Sequence, residues 1–200
     1  MEQNNIIDVF DFDGTLIRVN SFSAICKLML SLCLTKGLFI NALTILILYM
    51  ARRIGYFNHI QFKIKMMCFM KKYFSEQEQQ AMIQGIFIKN SNKDILQKLY
   101  SSANPVICTT APHAYISKLE FEKPITVISS LSPEEYIVDR SNQSTGKVNN
   151  LLAYLKSDDL RIANFYTDDL QDDGPVAIHA QTTYLVKNGI IVKEITSTLI

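Results

Sequence analysis

Apolar runs of strand length that alternate with helical segments predict an α/β protein. The expected plan is a parallel sheet core, interrupted by one all-helical insertion and closed by a C-terminal β-hairpin. Three observations carry this. Residues 6–12, 105–110, 125–129 and 160–166 are short apolar runs bounded by turn residues. Between the first two runs, residues 20–104 show helical patterning alone. Finally, residues 182–186 and 190–195 flank Lys187-Asn188-Gly189, and Asn-Gly is a strong hairpin signal.

The first run closes on Asp11-Phe12-Asp13-Gly14-Thr15. Side chains alternate along a strand, so Asp11 and Asp13 point the same way, and Gly14 lets the chain turn sharply behind them. Two carboxylates there add nothing to a core, because unpaired buried charge is costly. The placement makes sense where a divalent cation or an ionic substrate binds. A free Asp titrates near ~3.9, so Asp11 is an ionised nucleophile able to attack phosphorus. Asp13 is placed to protonate a leaving oxygen and then to activate water.

Two hundred residues, 48% of them hydrophobic, suit one domain plus an insertion. The net charge of +1 hides an asymmetry. Residues 21–75 carry Lys27, Lys36, Arg52, Arg53, Lys63, Lys65, Lys71 and Lys72 with no Asp or Glu, a charge of +8 that leaves −7 for the rest. Such a split suggests an anionic partner for one part, or a solvated basic face. No nucleic-acid partner is expected. Cys26, Cys33, Cys68 and Cys108 lack Cys-x-x-Cys spacing and read as core residues of a reducing compartment. The polar start, Met1 to Asn5, does not read as a signal peptide. The expected location is cytoplasmic, extending to the inner membrane face.

Past Leu16 the pattern turns helical, with Ser21 as N-cap. Residues 37–51 carry no charge. As a helix they span about 22 Å, short of the ~30 Å hydrocarbon core. A helical pair turning near Thr35-Lys36-Gly37 is therefore expected, its second member apolar on nearly all faces and so buried or lipid-facing. Residues 60–74 form an amphipathic helix in which Met66, Met67, Phe69 and Met70 stand beside lysines; such a stripe is core packing or an adaptable contact surface. Ser75-Glu76-Gln77-Glu78 opens a further helix with a capping box, and residues 91–101 give the last. The expected division is 1–19 and 104–200 for the core and 20–103 for a helical cap.

The second run ends in Thr109-Thr110 ahead of Pro112, which can start a helix. Hydroxyls and backbone N–H groups there suit a phosphate oxygen. Residues 136–139 are expected to add a short β piece. Lys147 opens a helix over 148–155, where it opposes the helix dipole and needs another reason to be present. Asp168, Asp169, Asp172 and Asp173 follow the fourth run and would repel one another without a cation. His59, His113 and His179 are too scattered to define a site by spacing.

In order along the chain, Asp11-x-Asp13-Gly14-Thr15, the Thr109-Thr110 strand end, Lys147 and an Asp-x-x-x-Asp resemble the four motifs of the haloacid dehalogenase-type superfamily, mostly magnesium-dependent phosphatases. An insertion between motifs one and two resembles the phosphoserine phosphatase branch, whose helical cap selects the substrate. The resemblance implies a Rossmann-like core, Asp11 as nucleophile, Asp13 as acid/base and Lys147 as a bridge between nucleophile and phosphate. It implies substrate contacts at Gly14, Asn20 and Thr109, with Thr110 as the runner-up to Thr109. Mg2+ is expected on Asp11, Asp13, Asp168 and Asp172. Asp169 with Asp173 has the same spacing, and Asp168 with Asp172 is preferred because Asp168 lies nearer the strand end. The family often has Gly where this chain has Thr167.

The implied function is a magnesium-dependent phosphatase that hydrolyses a phosphomonoester through an aspartyl phosphate. Phosphoserine is not the expected substrate, since Asn20 stands where that branch has a glutamate for the substrate ammonium. The apolar, basic insertion also resembles that of bacterial phosphatidylglycerophosphate phosphatases. That gives an alternative, action on an anionic phospholipid headgroup at a membrane surface. A non-catalytic phosphate- or lipid-binding protein on the same fold is the competing class; binding alone would not require both Asp11 and Asp13.

Overall fold

The computed structural model describes residues 5–130, 145–157 and 159–196. Among them, β1 (Ile6–Phe10), β2 (Pro105–Pro112), β3 (Thr126–Ser130), β4 (Arg161–Thr167), β5 (Ala180–Lys187) and β6 (Ile190–Thr196) form one sheet in the order β3-β2-β1-β4-β5-β6. Neighbours are parallel up to β5, and β5 and β6 pair antiparallel. Asn188 and Gly189 join them with φ of 52° and 81°, the two positive values that a type I′ hairpin turn requires. The α/β class and the closing hairpin are as the sequence predicts. The 136–139 β piece lies outside the described residues.

Alternation along the strands builds two cores. On one face Val9, Val106, Cys108 and Phe165 meet Leu151 and Leu155 of α7 (Thr145–Ser157) and Val176 of α8 (Leu170–Ala177). On the other, Phe10, Ile107, Tyr166 and Val186 face the insertion. There the rings of Phe10, Tyr166 and Tyr184 stack across three neighbouring strands, with centroids 4.6 and 4.8 Å apart.

The insertion consists of α1 (Ser21–Thr35), α2 (Phe39–Arg53), α3 (His59–Tyr73) and α4 (Glu76–Asn90), with α5 (Lys93–Ser101) leading back to the sheet. A turn at Lys36-Gly37-Leu38 joins the first pair, as expected. Asn20, not Ser21, caps α1: its Oδ1 accepts the Ser23 N–H at 2.9 Å. Ser21 is instead the first helical residue, its hydroxyl 2.8 Å from that of Tyr115 in the short α6 (His113–Ile116). Asn58 with Gln61 and Ser75 with Glu78 form capping boxes. The insertion leaves and returns through a narrow neck. Ile17 pairs antiparallel with Ser91, the Arg18 N–H donates to the Asn90 carbonyl, and the Asn92 N–H donates to the Leu16 carbonyl.

Only Ala42 and Ile45 of α2 are buried. The uncharged run is thus largely on the surface rather than enclosed by its neighbours. No helix among the described residues is long and apolar enough to cross a membrane.

Candidate active site

The site lies beyond the C-terminal ends of β1 and β4, where successive crossovers leave the sheet in opposite directions and a crevice opens. Asp11 follows β1 directly. Its N–H donates to the Tyr166 carbonyl at 2.9 Å, which keeps it in register with β4. Lys147, in the first turn of α7, donates to Asp11 Oδ1 at 2.8 Å and to Asp173 Oδ1 at 2.7 Å. Thr167 Oγ1 donates to the other oxygen of Asp173 at 2.6 Å. A lysine that works against its own helix dipole is therefore held by two carboxylates, all three groups buried.

Asp13 Oδ1 accepts the Ser21 N–H at 2.9 Å, which ties the second acid to the start of α1. Gly14 turns the chain with φ of +80°, and a Cβ built there would stand 2.1 Å from Asp168 Oδ2. Glycine is required at this position twice over: for the left-handed backbone and for the approach of Asp168. A cavity of about 340 Å³ results, faced by Asp11, Asp13, Asp168, Asp169, Asp172 and Asp173, by the cations Arg18 and Lys147, and by Gly14, Asn20 and Thr110.

Asp11, Asp13, Gly14, Asn20, Thr110, Lys147, Asp168 and Asp172 of the predicted site thus share one cavity. Thr109 stands outside that lining; it is buried, and its hydroxyl accepts the Ala111 N–H at 3.1 Å. The acidic loop divides its labour in a way that neither four-residue pairing anticipates. Asp168 leans on Gly14, Asp169 caps α8 by accepting the Gln171 N–H at 2.7 Å, Asp172 is exposed at the cavity, and Asp173 holds Lys147. His113 is bonded to the Ser129 hydroxyl at 2.8 Å and is not part of the lining. By sequence His59 is too scattered from the other histidines to mark a site, and Lys63 is one of eight basic residues of the insertion. Both come from α3 and face an adjoining cavity of about 380 Å³ shared with Asn20, Thr110, Lys147, Asp172 and Asp173.

Burial pushes Asp11 up to about 7, against the pull of Lys147 and with a further push from Asp173. Asp13 is pushed up to about 6, again by burial, with its bonds to Ser21 and the charge of Lys63 pulling it back. Burial also raises Asp168, with Lys187 opposing. For Lys147 burial works against the charge, but Asp11 and Asp173 outweigh it and hold the ammonium above the ordinary lysine value. Negative charge is therefore concentrated beyond what the local lysine cancels, the condition of a cation-receptive site. Among the described residues no three acidic, histidine or cysteine side chains converge tightly enough to enclose an ion. The donors that line the cavity are carboxylate oxygens, among them those of Asp11, Asp13, Asp168 and Asp172. Such a set fits a hard divalent cation rather than a soft one.

No family model and no curated protein matches the chain. Solved structures do. An HAD family hydrolase from Salmonella enterica subsp. enterica serovar Typhi superposes with a TM-score of 0.52 at 14% identity, over 88% of this chain and 60% of that one. A protein of unknown function from Bordetella pertussis Tohama I superposes with a TM-score of 0.61 at 14% identity, over 84% of both chains. At this identity the likeness is one of fold. The chain has the haloacid dehalogenase-like α/β fold, and this chain spans less than two thirds of the Salmonella hydrolase.

Proposed function

We propose that this protein is a magnesium-dependent phosphatase that hydrolyses a phosphomonoester through an aspartyl phosphate on Asp11. The observation that supports this most is the convergence of Asp11, Asp13, Lys147 and Asp168 on one cavity at the ends of β1 and β4. A carboxylate oxygen of Asp11 bonds to phosphorus as the bond from phosphorus to the ester oxygen breaks. Asp13, pushed up to about 6, keeps a protonated fraction near neutrality and delivers its proton to the departing oxygen. Once ionised, Asp13 takes a proton from water. That water oxygen attacks the acyl phosphate, releasing inorganic phosphate and restoring Asp11. Lys147 fixes Asp11 from one side, Asp173, itself held by Thr167, fixes Lys147, and Thr110 at the cavity wall offers its hydroxyl to phosphate. Magnesium, when bound, supplies the positive charge that lets a carboxylate approach a phosphate dianion. Asp11, Asp168 and the Asp13 carbonyl would hold it, with Asp172 at the same cavity.

Steady-state hydrolysis of an aryl phosphate tests this. Turnover is expected with Mg2+ and not after chelation, and Asp11→Asn is expected to lower kcat by at least ~10³-fold with the far-ultraviolet dichroism unchanged. Near-normal turnover in Asp11→Asn would refute the mechanism.

A second reading, action on a phospholipid headgroup at an anionic membrane surface, has its own observation in favour. Phe39, Ile40, Leu43, Ile47 and Met50 are exposed at helical spacing along α2, and Ile54 follows at its C-cap, with Ile40 82% and Ile54 76% accessible. Arg52 and Arg53 stand in its last turn. An uncharged apolar stripe with a basic end suits an interface between headgroups and acyl chains. Flotation with phosphatidylglycerol vesicles at low salt decides it. The wild type is expected to float, and Leu43→Glu with Ile47→Glu to stay behind with an unchanged Tm, since both side chains are exposed. Wild-type protein that stays at the bottom of the gradient removes this reading.

A further inference from the structure

Through α3 the insertion reaches the cavity that adjoins the reaction cavity. Lys63 is only 5% exposed, yet no carboxylate among the described residues forms an ion pair with it. Its Nζ donates to the main-chain carbonyl of Thr110 at 3.0 Å and lies 5.8 Å from the centroid of the Phe22 ring. A buried ammonium without a carboxylate partner is costly. Lys147 shows the contrast, with two carboxylates against one charge.

Nearby groups sharpen the imbalance. His59 lies one turn before Lys63 on α3 and faces the same cavity. Its own basicity is lowered by partial desolvation, then by the charges of Lys63 and Arg52, so two cations lie within range of it. The acid whose field reaches Lys63 is Asp13, and that carboxylate is tied to the Ser21 N–H.

Geometry then separates two tasks. A phosphate between Asp11 and Thr110 presents its ester oxygen to Asp13. The alcohol beyond that oxygen extends into the adjoining cavity, where Asn20, His59 and Lys63 stand with Thr110, Lys147, Asp172 and Asp173, the last already bonded to Lys147. We propose that Lys63, with His59 beside it, forms an anion subsite for the alcohol part of the substrate. The phosphomonoester cleaved then carries a second acidic group, a carboxylate or a second phosphate, close to its ester oxygen. This assignment rests on the reading of Asp11 and Asp13 as the reaction centre. It explains why a lysine is buried where the methionine stripe of α3 would otherwise continue, since a second anion supplies the missing counter-charge.

Three ligands of similar length test it: phosphoglycolate, ethylene glycol bisphosphate, and ethylene glycol monophosphate, whose far end is a neutral hydroxyl. Each is titrated calorimetrically with Mg2+ present into wild type, Lys63→Met, Lys63→Arg and His59→Ala, and initial rates are measured in parallel. At least one doubly anionic ligand is expected to bind about tenfold tighter than the monophosphate, a difference of about 1.4 kcal/mol. Which ligand shows the gap tells carboxylate from phosphate. Lys63→Met should close the gap to under about threefold and Lys63→Arg should keep most of it. His59→Ala, at an exposed position, should narrow it even if the methionine variant does not fold. Equal binding of all three ligands by the wild type, or a gap that survives both Lys63→Met and His59→Ala, overturns the subsite. A gap that these variants erase in a protein inactive on aryl phosphates with Mg2+ would sink the phosphatase reading and leave an anion-binding site; turnover without a gap would do the reverse.

Discussion

Replacing Gly14 with alanine tests whether the cavity is built as described. The residue has φ of +80°, and the added methyl would stand 2.1 Å from Asp168 Oδ2 and 2.4 Å from its Cγ. To restore an ordinary contact of 3.4 Å, the carboxylate must withdraw by about 1.3 Å. Displacement of a reacting group by about 1 Å costs on the order of 10²-fold in rate. The left-handed backbone adds a separate stability cost of about 1–2 kcal/mol. For a chain of this size that corresponds to a Tm lower by roughly 2–8 °C. Two assays separate the effects. Thermal unfolding reads the strain, and kcat/KM on an aryl phosphate with Mg2+ reads the carboxylate displacement. In the double variant Gly14→Ala with Asp168→Ala the clash is gone, so any destabilisation beyond the backbone cost should disappear while activity stays low. A Gly14→Ala protein with near-normal rate and Tm would show that Asp168 does not lean on Gly14 and that the cavity closes differently.

Two further outcomes are expected. Lys147→Met leaves Asp11 and Asp173 buried without their cation and should cost about 3–5 kcal/mol at pH 8 by chemical denaturation. Part of that should return at pH 5.5, because protonation relieves the buried Asp11 carboxylate, which is raised to about 7; equal losses at both pH values would contradict the triad. In the metal-free wild type, Asp11 near 7 and Asp13 near 6 lie above their ordinary value of 3.8, so the folded state binds more protons between about pH 4 and pH 7. Stability therefore falls as pH rises through that window. A Tm series with chelator should be higher at pH 5 than at pH 8, and Mg2+ should raise the pH 8 value; a flat series would argue against burial of both acids.

The residues legible in the sequence are those that break a local rule. Two acids at the end of an apolar strand and a lysine against its helix dipole each demand a reason, and the structure brings Asp11, Asp13 and Lys147 to one cavity. The strand runs are legible because β-forming residues cluster between turn signals, and the hairpin because Asn188 and Gly189 tolerate positive φ. Where neighbours share a chemistry, the sequence has nothing to choose with. Thr109 and Thr110 are alike in composition, and the strand's orientation puts Thr110 in the cavity lining. Asp168 to Asp173 contain two equal spacings, and what separates the four acids is three-dimensional: the Thr167 hydroxyl on Asp173 and the α8 cap taken by Asp169. Asn20 and Ser21 are both good N-caps, and the choice follows from Ser21 being drawn to Asp13 and Tyr115. Lys63 is hidden within a stripe that reads as core. That reading is right for Met66, Met67 and Met70, and only the rotation of α3 turns the lysine toward Thr110.

The pairing of Ile17 with Ser91 makes the insertion look detachable. Paired residues on neighbouring antiparallel strands are about 5 Å apart, a gap that a tight turn spans without disturbing the sheet. The apolar interior says otherwise. One cluster runs unbroken from Phe10 and Tyr166 on the sheet, through Phe12 and Leu16, to Met29, Ile45 and Met66 in the helices. Cutting at the neck would turn Phe10, Phe12 and Leu16 toward water at about 1.5–3 kcal/mol each, against a typical total stability of about 5–15 kcal/mol. The two parts are therefore separable in topology and inseparable in thermodynamics. They should melt in a single transition, and a transplant of these helices onto another sheet succeeds only if the recipient offers them a matching greasy floor.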